Sequence, residues 1–196
     1  MKIKICGLFR EIDIDFVNEA LPDYAGFVLN FPKSHRNISL NQAELLKQRL
    51  DKRIKSVGVF VDAPIDYIEE AARRKIIGIM QLHGSENADY IAELKRRVSL
   101  PVIRAVKVDG REIEPLDADF LLLDSGKGTG KTFDHALICP EKIPVPFFIA
   151  GGITPETIPD LARFEPFGVD ISGGVETDKI KDREKILSAV KAARRV

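Results

Sequence analysis

Apolar residues along this chain follow two alternating rhythms. Nearly continuous apolar runs occupy residues 2–6, 24–29, 54–61, 76–82, 101–108, 120–124, 146–150 and 167–172. Most are short and rich in β-branched residues, as strands covered on both faces must be. Between them lie stretches in which apolar side chains return every three or four residues, the period of a helix with one buried face. Ile12, Phe16, Val17, Ala20 and Leu21 share one such face, and Ala43, Leu46 and Leu50 a second. Ile65, Ile68 and Ala72 make a third, Ala88, Ile91, Leu94 and Val98 a fourth, and Ile186, Leu187, Val190 and Ala193 the last. Thr154-Pro155-Glu156 predicts a further helix start, with threonine as cap and proline at the first helical position. The segments 109–115 and 134–138, after the fifth and sixth runs, are too short for full helices, and Pro140 stops the second.

Eight strand-then-helix units, with no linker, repeat or shift in composition between them, predict a single α/β domain over residues 1–196. The fold expected is a parallel (β/α)8 barrel of the TIM type. At 196 residues it would be a compact one, since about 250 is usual. A doubly wound open sheet is the alternative, but such sheets more often hold about five or six strands.

In a barrel of this kind every strand ends at one mouth, where the fold carries its chemistry. The run ends here are polar or glycine-rich: Cys6 before Gly7, Gln81-Leu82-His83-Gly84, Asp124, Gly151-Gly152, and Asp170-Ile171-Ser172-Gly173-Gly174-Val175-Glu176. Residues 125–132 look like a phosphate-binding P-loop, but Ser125 stands where its first glycine belongs. Pro140 also cuts short the helix that should support the phosphates. The segment therefore reads as a mobile βα loop covering Asp124, with Lys131 poised to reach a substrate on closure. A phosphate is better served by the two Gly-Gly pairs, whose backbone N–H groups can approach an anion without a basic side chain.

Charge and composition narrow the class further. Thirty basic and thirty acidic residues cancel, so no overall field favours nucleic acid or an anionic membrane. No apolar run reaches the roughly 18 residues of a membrane span, and the first residues lack the apolar stretch of a signal peptide. A cytoplasmic protein is expected. Cys6 and Cys139 make no disulfide framework, and His35, His83 and His135 are too scattered for a metal site.

Taken in order, Lys4-Ile5-Cys6-Gly7, Gly26-Phe27-Val28, Phe31-Pro32-Lys33-Ser34 with Arg36, Val57-Gly58-Val59-Phe60 and Gln81-Leu82-His83-Gly84 form a pattern. It continues through Leu123-Asp124, Gly128-Thr129-Gly130-Lys131-Thr132-Phe133-Asp134, Gly151-Gly152 and Val169-Asp170. The whole resembles the phosphoribosylanthranilate isomerase family of tryptophan biosynthesis. The resemblance implies a cofactor-free Amadori rearrangement of N-(5-phosphoribosyl)anthranilate to 1-(2-carboxyphenylamino)-1-deoxyribulose 5-phosphate. It further implies Cys6 as the general base at C2 of the ribose, Asp124 as the general acid at the ring oxygen, and Arg36 on the anthranilate carboxylate. The phosphate would lie on the loops after the seventh and eighth strands, at Gly151, Gly152, Ser172, Gly173 and Gly174. His83 and Asp170 are further candidates for substrate contact. The expected partner is one small phosphorylated substrate, with no nucleic acid, membrane or metal, in a monomer or homodimer.

Three residues depart from or strain that pattern. Gly173 stands where the family usually has serine, and His35 where it has proline. A free thiol titrates near 8.5 and is a weak base while protonated, so Cys6 needs help. Lys4, two residues earlier on the same strand face, is expected to lower the Cys6 pKa, and the leucines before Asp124 to raise that of its carboxyl by desolvation. Two rivals remain: a non-catalytic phosphosugar-binding barrel, and the analogous isomerase of histidine biosynthesis. The latter family carries aspartate in place of Cys6 and a half-barrel repeat absent from this sequence.

Overall fold

A computed structural model describes residues 1–108, 113–124 and 138–196. Its centre is a ring of parallel strands: β1 (Lys2–Cys6), β2 (Tyr24–Leu29), β3 (Lys55–Phe60), β4 (Ile79–Leu82), β5 (Val102–Lys107), β6 (Phe120–Asp124), β7 (Phe147–Ile149) and β8 (Gly168–Ile171). Each strand pairs with the next, and β1 pairs with both β2 and β8, which closes the barrel. A two-residue strand, Asn37–Ile38, extends the far edge of β2. After β8 the chain makes a short antiparallel hairpin, Glu176–Thr177 against Ile180–Lys181.

The helices α1 (Glu11–Ala20), α2 (Leu40–Arg49), α3 (Ile65–Arg73), α4 (Ala88–Arg97), α5 (Ile158–Leu161) and α6 (Arg183–Arg194) lie among these strands in sequence. Side-chain caps start three of them: Ser39, Asn87 and Asp182 each accept a backbone N–H from the first turn of α2, α4 and α6.

Alternation along each strand separates two apolar layers. Ile3, Ile5, Phe27, Leu121, Leu123 and Ile171 belong to the large core shared with helix residues such as Val17, Leu46, Ile91 and Ile186. Tyr24, Val57, Ile79, Ile103, Leu122, Phe148 and Ala150 form a second cluster on the other face, inside the ring. At its lower end Phe148 meets Tyr24 and Phe167 edge to face, with centroids 5.7 and 5.3 Å away, and Phe120 packs on Phe167 at 5.1 Å. These rings fill the entry end of the barrel and leave the strand C-termini for polar groups.

Several expectations need correction. The run 76–82 is strand only from Ile79, because Lys75 adopts a left-handed φ of 57° and Ile76 turns back to bond Ala71 O. On α1 the buried residues are Asp13, Ile14 and Val17, while Ile12 is 44% exposed. The helix expected from Thr154 shrinks to α5 and a 3-10 turn at Ala162–Phe164, ended by left-handed Glu165. There Thr157 Oγ1, not the Thr154 side chain, closes the turn, accepting from Thr154 N and donating to Thr154 O. The readings of 125–132 as a cover, of Lys131, of the 128–134 motif, and of the short segments after β5 and β6 over 109–112 and 125–137 lie outside the described residues.

Candidate active site

Inward positions at the ends of the strands come from a simple count. Lys4 and Cys6 sit two apart on β1, so both point into the ring. Their neighbour on β2 is Gly26, where an added Cβ would stand 2.9 Å from Cys6 Sγ and 3.2 Å from Lys4 Cε. Glycine there makes room for the thiol and the lysine stem. Gly7 then leaves the strand with a φ of +79°, and an added Cβ would lie 2.3 Å from Arg36 Cδ. The arginine stem passes directly over it.

Lys4 is fully buried, and its Nζ donates to both oxygens of Asp170 at 2.9 Å. The two residues are register partners on β1 and β8. Burial pushes the Lys4 ammonium down, but Asp170 and Cys6 together hold its pKa above the ordinary value. For the Cys6 thiol the largest effect is also burial, which pushes it up; Lys4 pulls down and Asp170 pushes up again. Lys4 thus acts in the expected direction, yet the net thiol pKa is raised. Desolvation of a thiolate inside the barrel, with Asp170 beside it, outweighs the pull of the already paired Lys4 and the smaller pull of Lys181.

Arg36 reaches in from the loop after β2. Its Nε and Nη2 donate to Glu176 Oε1 and Oε2 at 2.7 and 2.6 Å. Arg36 and Lys181 hold the Glu176 carboxyl down at about 2 against the opposing effect of its burial. Lys181 Nζ donates to Glu176 Oε1 at 2.6 Å and to Ser172 O at 3.0 Å, and Ser172 Oγ donates to Cys6 O at 3.1 Å. Burial pulls the Lys181 ammonium below its usual value, with Glu176 pulling it back. Glu176 and Lys181 were not among the residues singled out above. Glu176 closes the 170–176 segment, which was a usable signal, but nothing local marks Lys181.

Across the ring, β6 ends on Asp124, which is 8% exposed. His83 Nε2 lies 3.1 Å from Asp124 Oδ2, and His83 Nδ1 lies 3.2 Å from Gln81 Nε2. His83 thus links the Gln81 amide to the Asp124 carboxyl through its two ring nitrogens. Gln81 is 1% exposed, and its Oε1 has no partner among the described residues.

The glycine pairs stand where expected. Gly151 and Gly152 have φ of 86° and 67° after β7, and Gly173–Val175 forms a 3-10 turn after β8. An added Cβ at Gly174 would lie 1.8 Å from Ile153 O, so only glycine lets these two loops touch backbone to backbone. Cys6, Arg36, Asp170 and Ser172 therefore gather on the β1–β8 side, with His83 and Asp124 on the β4–β6 side. Among the described residues no group of three or more His, Cys, Asp or Glu could hold a metal ion, and no helix is long and apolar enough to cross a membrane. The surface hollow lined by Val145, Phe147, Glu165 and Phe167 opens at the start of β7 and β8, the opposite end from these groups.

Such an arrangement offers a buried thiol and a carboxylate on separate sides of one mouth, a fixed guanidinium and two glycine-rich loops. Comparison with known proteins points the same way. The family model of N-(5'phosphoribosyl)anthranilate (PRA) isomerase matches residues 3–192. An N-(5'-phosphoribosyl)anthranilate isomerase of Endomicrobium trichonymphae is 44% identical over 200 residues, spanning 98% of this chain and 98% of its own. Monomers generated from the dimeric phosphoribosylanthranilate isomerase of Thermotoga maritima share the fold at a TM-score of 0.87 and 33% identity, over 100% of both chains. A phosphoribosyl anthranilate isomerase solved with reduced 1-(o-carboxyphenylamino)-1-deoxyribulose 5-phosphate gives 0.83 and 31%, again over 100% of both.

Proposed function

Because this chain belongs to the phosphoribosylanthranilate isomerase family and catalyses its aldose-to-ketose rearrangement in tryptophan biosynthesis, we propose that Cys6 and Asp124 divide the proton transfers of that reaction. Asp124 gives a proton to the ribose ring oxygen, the C1–O bond breaks, and the anthranilate nitrogen lone pair moves to form the C1=N iminium. The Cys6 thiolate then removes the proton from C2; that electron pair closes C1=C2 while the C1=N pair returns to nitrogen, giving the enaminol, and a shift of the enol proton from the C2 oxygen to C1 gives the ketone. One proton in and one proton out leave the composition unchanged, as an isomerisation requires. The observation that supports this most is the placement of two buried titratable groups at the ends of β1 and β6, separated by two strands on one side of the ring and four on the other. An acid and a base so placed can work on different atoms of one sugar.

The remaining residues bind. Arg36 takes the anthranilate carboxylate, since its planar fork matches that group. The backbone of Gly151, Gly152, Gly173 and Gly174, with Ser172, takes the phosphate. His83 orients Asp124 and contacts substrate. Asp170 holds Lys4 beneath the thiol and turns its outer face to the ligand. The reduced product bound by the solved family member supports a small phosphorylated ligand. All these residues come from one chain and one barrel domain over 1–196, so either a monomer or a homodimer would carry a whole site, in the cytoplasm.

A direct assay tests the reading: purified protein is mixed with N-(5-phosphoribosyl)anthranilate, and the anthranilate fluorescence is followed. The wild type should consume it, and Cys6→Ala and Asp124→Asn should each slow turnover by about a thousandfold. Unchanged rates in both variants would sink the mechanism. A wild type that binds without turnover would favour a phosphosugar-binding barrel.

A further inference from the structure

Arg36 is already engaged on one edge. Nε and Nη2 use the two-pronged geometry that fits a carboxylate, and the carboxylate they hold is Glu176, at 2.7 and 2.6 Å. Glu176 is fixed before Arg36 reaches it, because it faces Lys181 across the antiparallel hairpin and accepts from Lys181 Nζ at 2.6 Å. The side chains of Glu176 and Lys181 are 6% and 0% exposed, whereas that of Arg36 keeps 23%. The guanidinium therefore has one edge locked inward and another looking out. Nothing among the described residues bonds to Nη1 on that outer edge. The space beside the neighbouring Nη2 is open on the Gly173 side: an added Cβ there would meet nothing nearer than Arg36 Nη2 at 4.0 Å. Two cations and one anion leave this cluster one positive charge in excess, the complement of a single carboxylate.

We propose that Glu176, braced by Lys181, is a positioning residue that aims the outer edge of Arg36 at the aromatic carboxylate of the substrate, and so sets the preference for an anthranilate over an unsubstituted aniline. The inference rests on the reading of Arg36 as the carboxylate anchor. A guanidinium held by Glu176 loses little rotamer freedom when the ligand arrives, and that saving appears as affinity. Electrostatics without aiming gives the opposite sign, which makes the idea testable. Removing the negative charge of Glu176 adds net positive charge and should tighten an anionic ligand; loss of aiming should weaken it.

The experiment measures kcat and KM of the full chain for N-(5-phosphoribosyl)anthranilate and for N-(5-phosphoribosyl)aniline, which lacks the carboxylate. In Glu176→Gln the ratio of kcat/KM between the two substrates should fall by about tenfold or more, carried by a higher KM for the anthranilate substrate. Glu176→Asp keeps the charge but shortens the reach, and its ratio should fall in between; it reads the same quantity if Glu176→Gln does not fold. An unchanged or increased ratio, or equal losses on both substrates, would overturn the proposal. Arg36→Lys separates the two levels. If its ratio is unchanged, Arg36 does not read the carboxylate and the earlier assignment fails with this one. If its ratio falls while the Glu176 variants keep theirs, only the positioning role fails.

Discussion

The two ends of this barrel are built from the same strands by the same alternation, yet they are made of opposite materials. At the entry end, Tyr24, Phe120, Phe148 and Phe167 pack together in edge-to-face and tilted contacts. At the exit end, inward positions hold Lys4, Cys6, Gln81, Asp124 and Asp170, all buried, with Lys4 bonded to Asp170 and His83 linking Gln81 to Asp124. Aromatic packing is favourable without any partner chemistry, so the floor supplies stability. Buried charge is costly unless it is paired, so the mouth gains little stability from its polar groups and is arranged for chemistry. The ring of backbone bonds joins the two and lets each specialise.

The comparison breaks if substitutions at either end have the wrong consequence. The largest expected effect is at the mouth: Asp124→Asn should cut kcat/KM by about a thousandfold while leaving the denaturation midpoint nearly where it was. A matching collapse of stability would mean that Asp124 is a structural group. At the floor, Phe148→Ala should lose about 3–5 kcal/mol in denaturant unfolding, with kcat per folded molecule preserved. A proportionate loss of kcat would show that the floor takes part in catalysis.

Lys4→Met touches both properties. Leaving Asp170 buried without its cation should cost about 3 kcal/mol. Removing the largest downward pull should also raise the Cys6 thiol still further, read by thiolate absorbance against pH. A thiol that does not move up would remove Lys4 from the mechanism. The smallest effect concerns acid. Glu176 is lowered from 4.5 to about 2, so its ion pairs stabilise the fold above its ordinary range, and that contribution is lost as pH falls from there toward about 2. Glu176→Gln should flatten that part of a stability-against-pH curve measured by chemical denaturation. An acid limb of unchanged steepness would assign the loss to other carboxylates.

Much of this was legible along the chain because parallel strands are covered on both faces and appear as apolar runs with little ambiguity. Cys6 and Asp124 stood out for the same reason, as polar endings to such runs. Partners were not legible. Arg36 meets Glu176 across 140 residues, and a position on a strand states which face a side chain takes but not what it will touch there. The Cys6 thiol shows the limit most clearly. Lys4 was visible two residues away, but the burial that overrides it is a property of the closed ring. The misread start of β4 has a local cause, since residues 76–78 are apolar because they pack in a turn leaving α3.

Closure by β1 and β8 carries a consequence for the order of events during synthesis. Lys4 and Asp170 are 166 residues apart, and the same separation divides Cys6 from Ser172. A nascent chain that has emerged only through β7 holds Cys6, Asp124 and Arg36, but not Asp170, Ser172, Glu176 or Lys181. Its first strand waits with one edge unpaired, and joining so distant a pair is a slow, non-local step. The mouth is therefore completed only when β8 and the hairpin after it join the ring, and an interrupted translation product is prone to aggregate through its open edges.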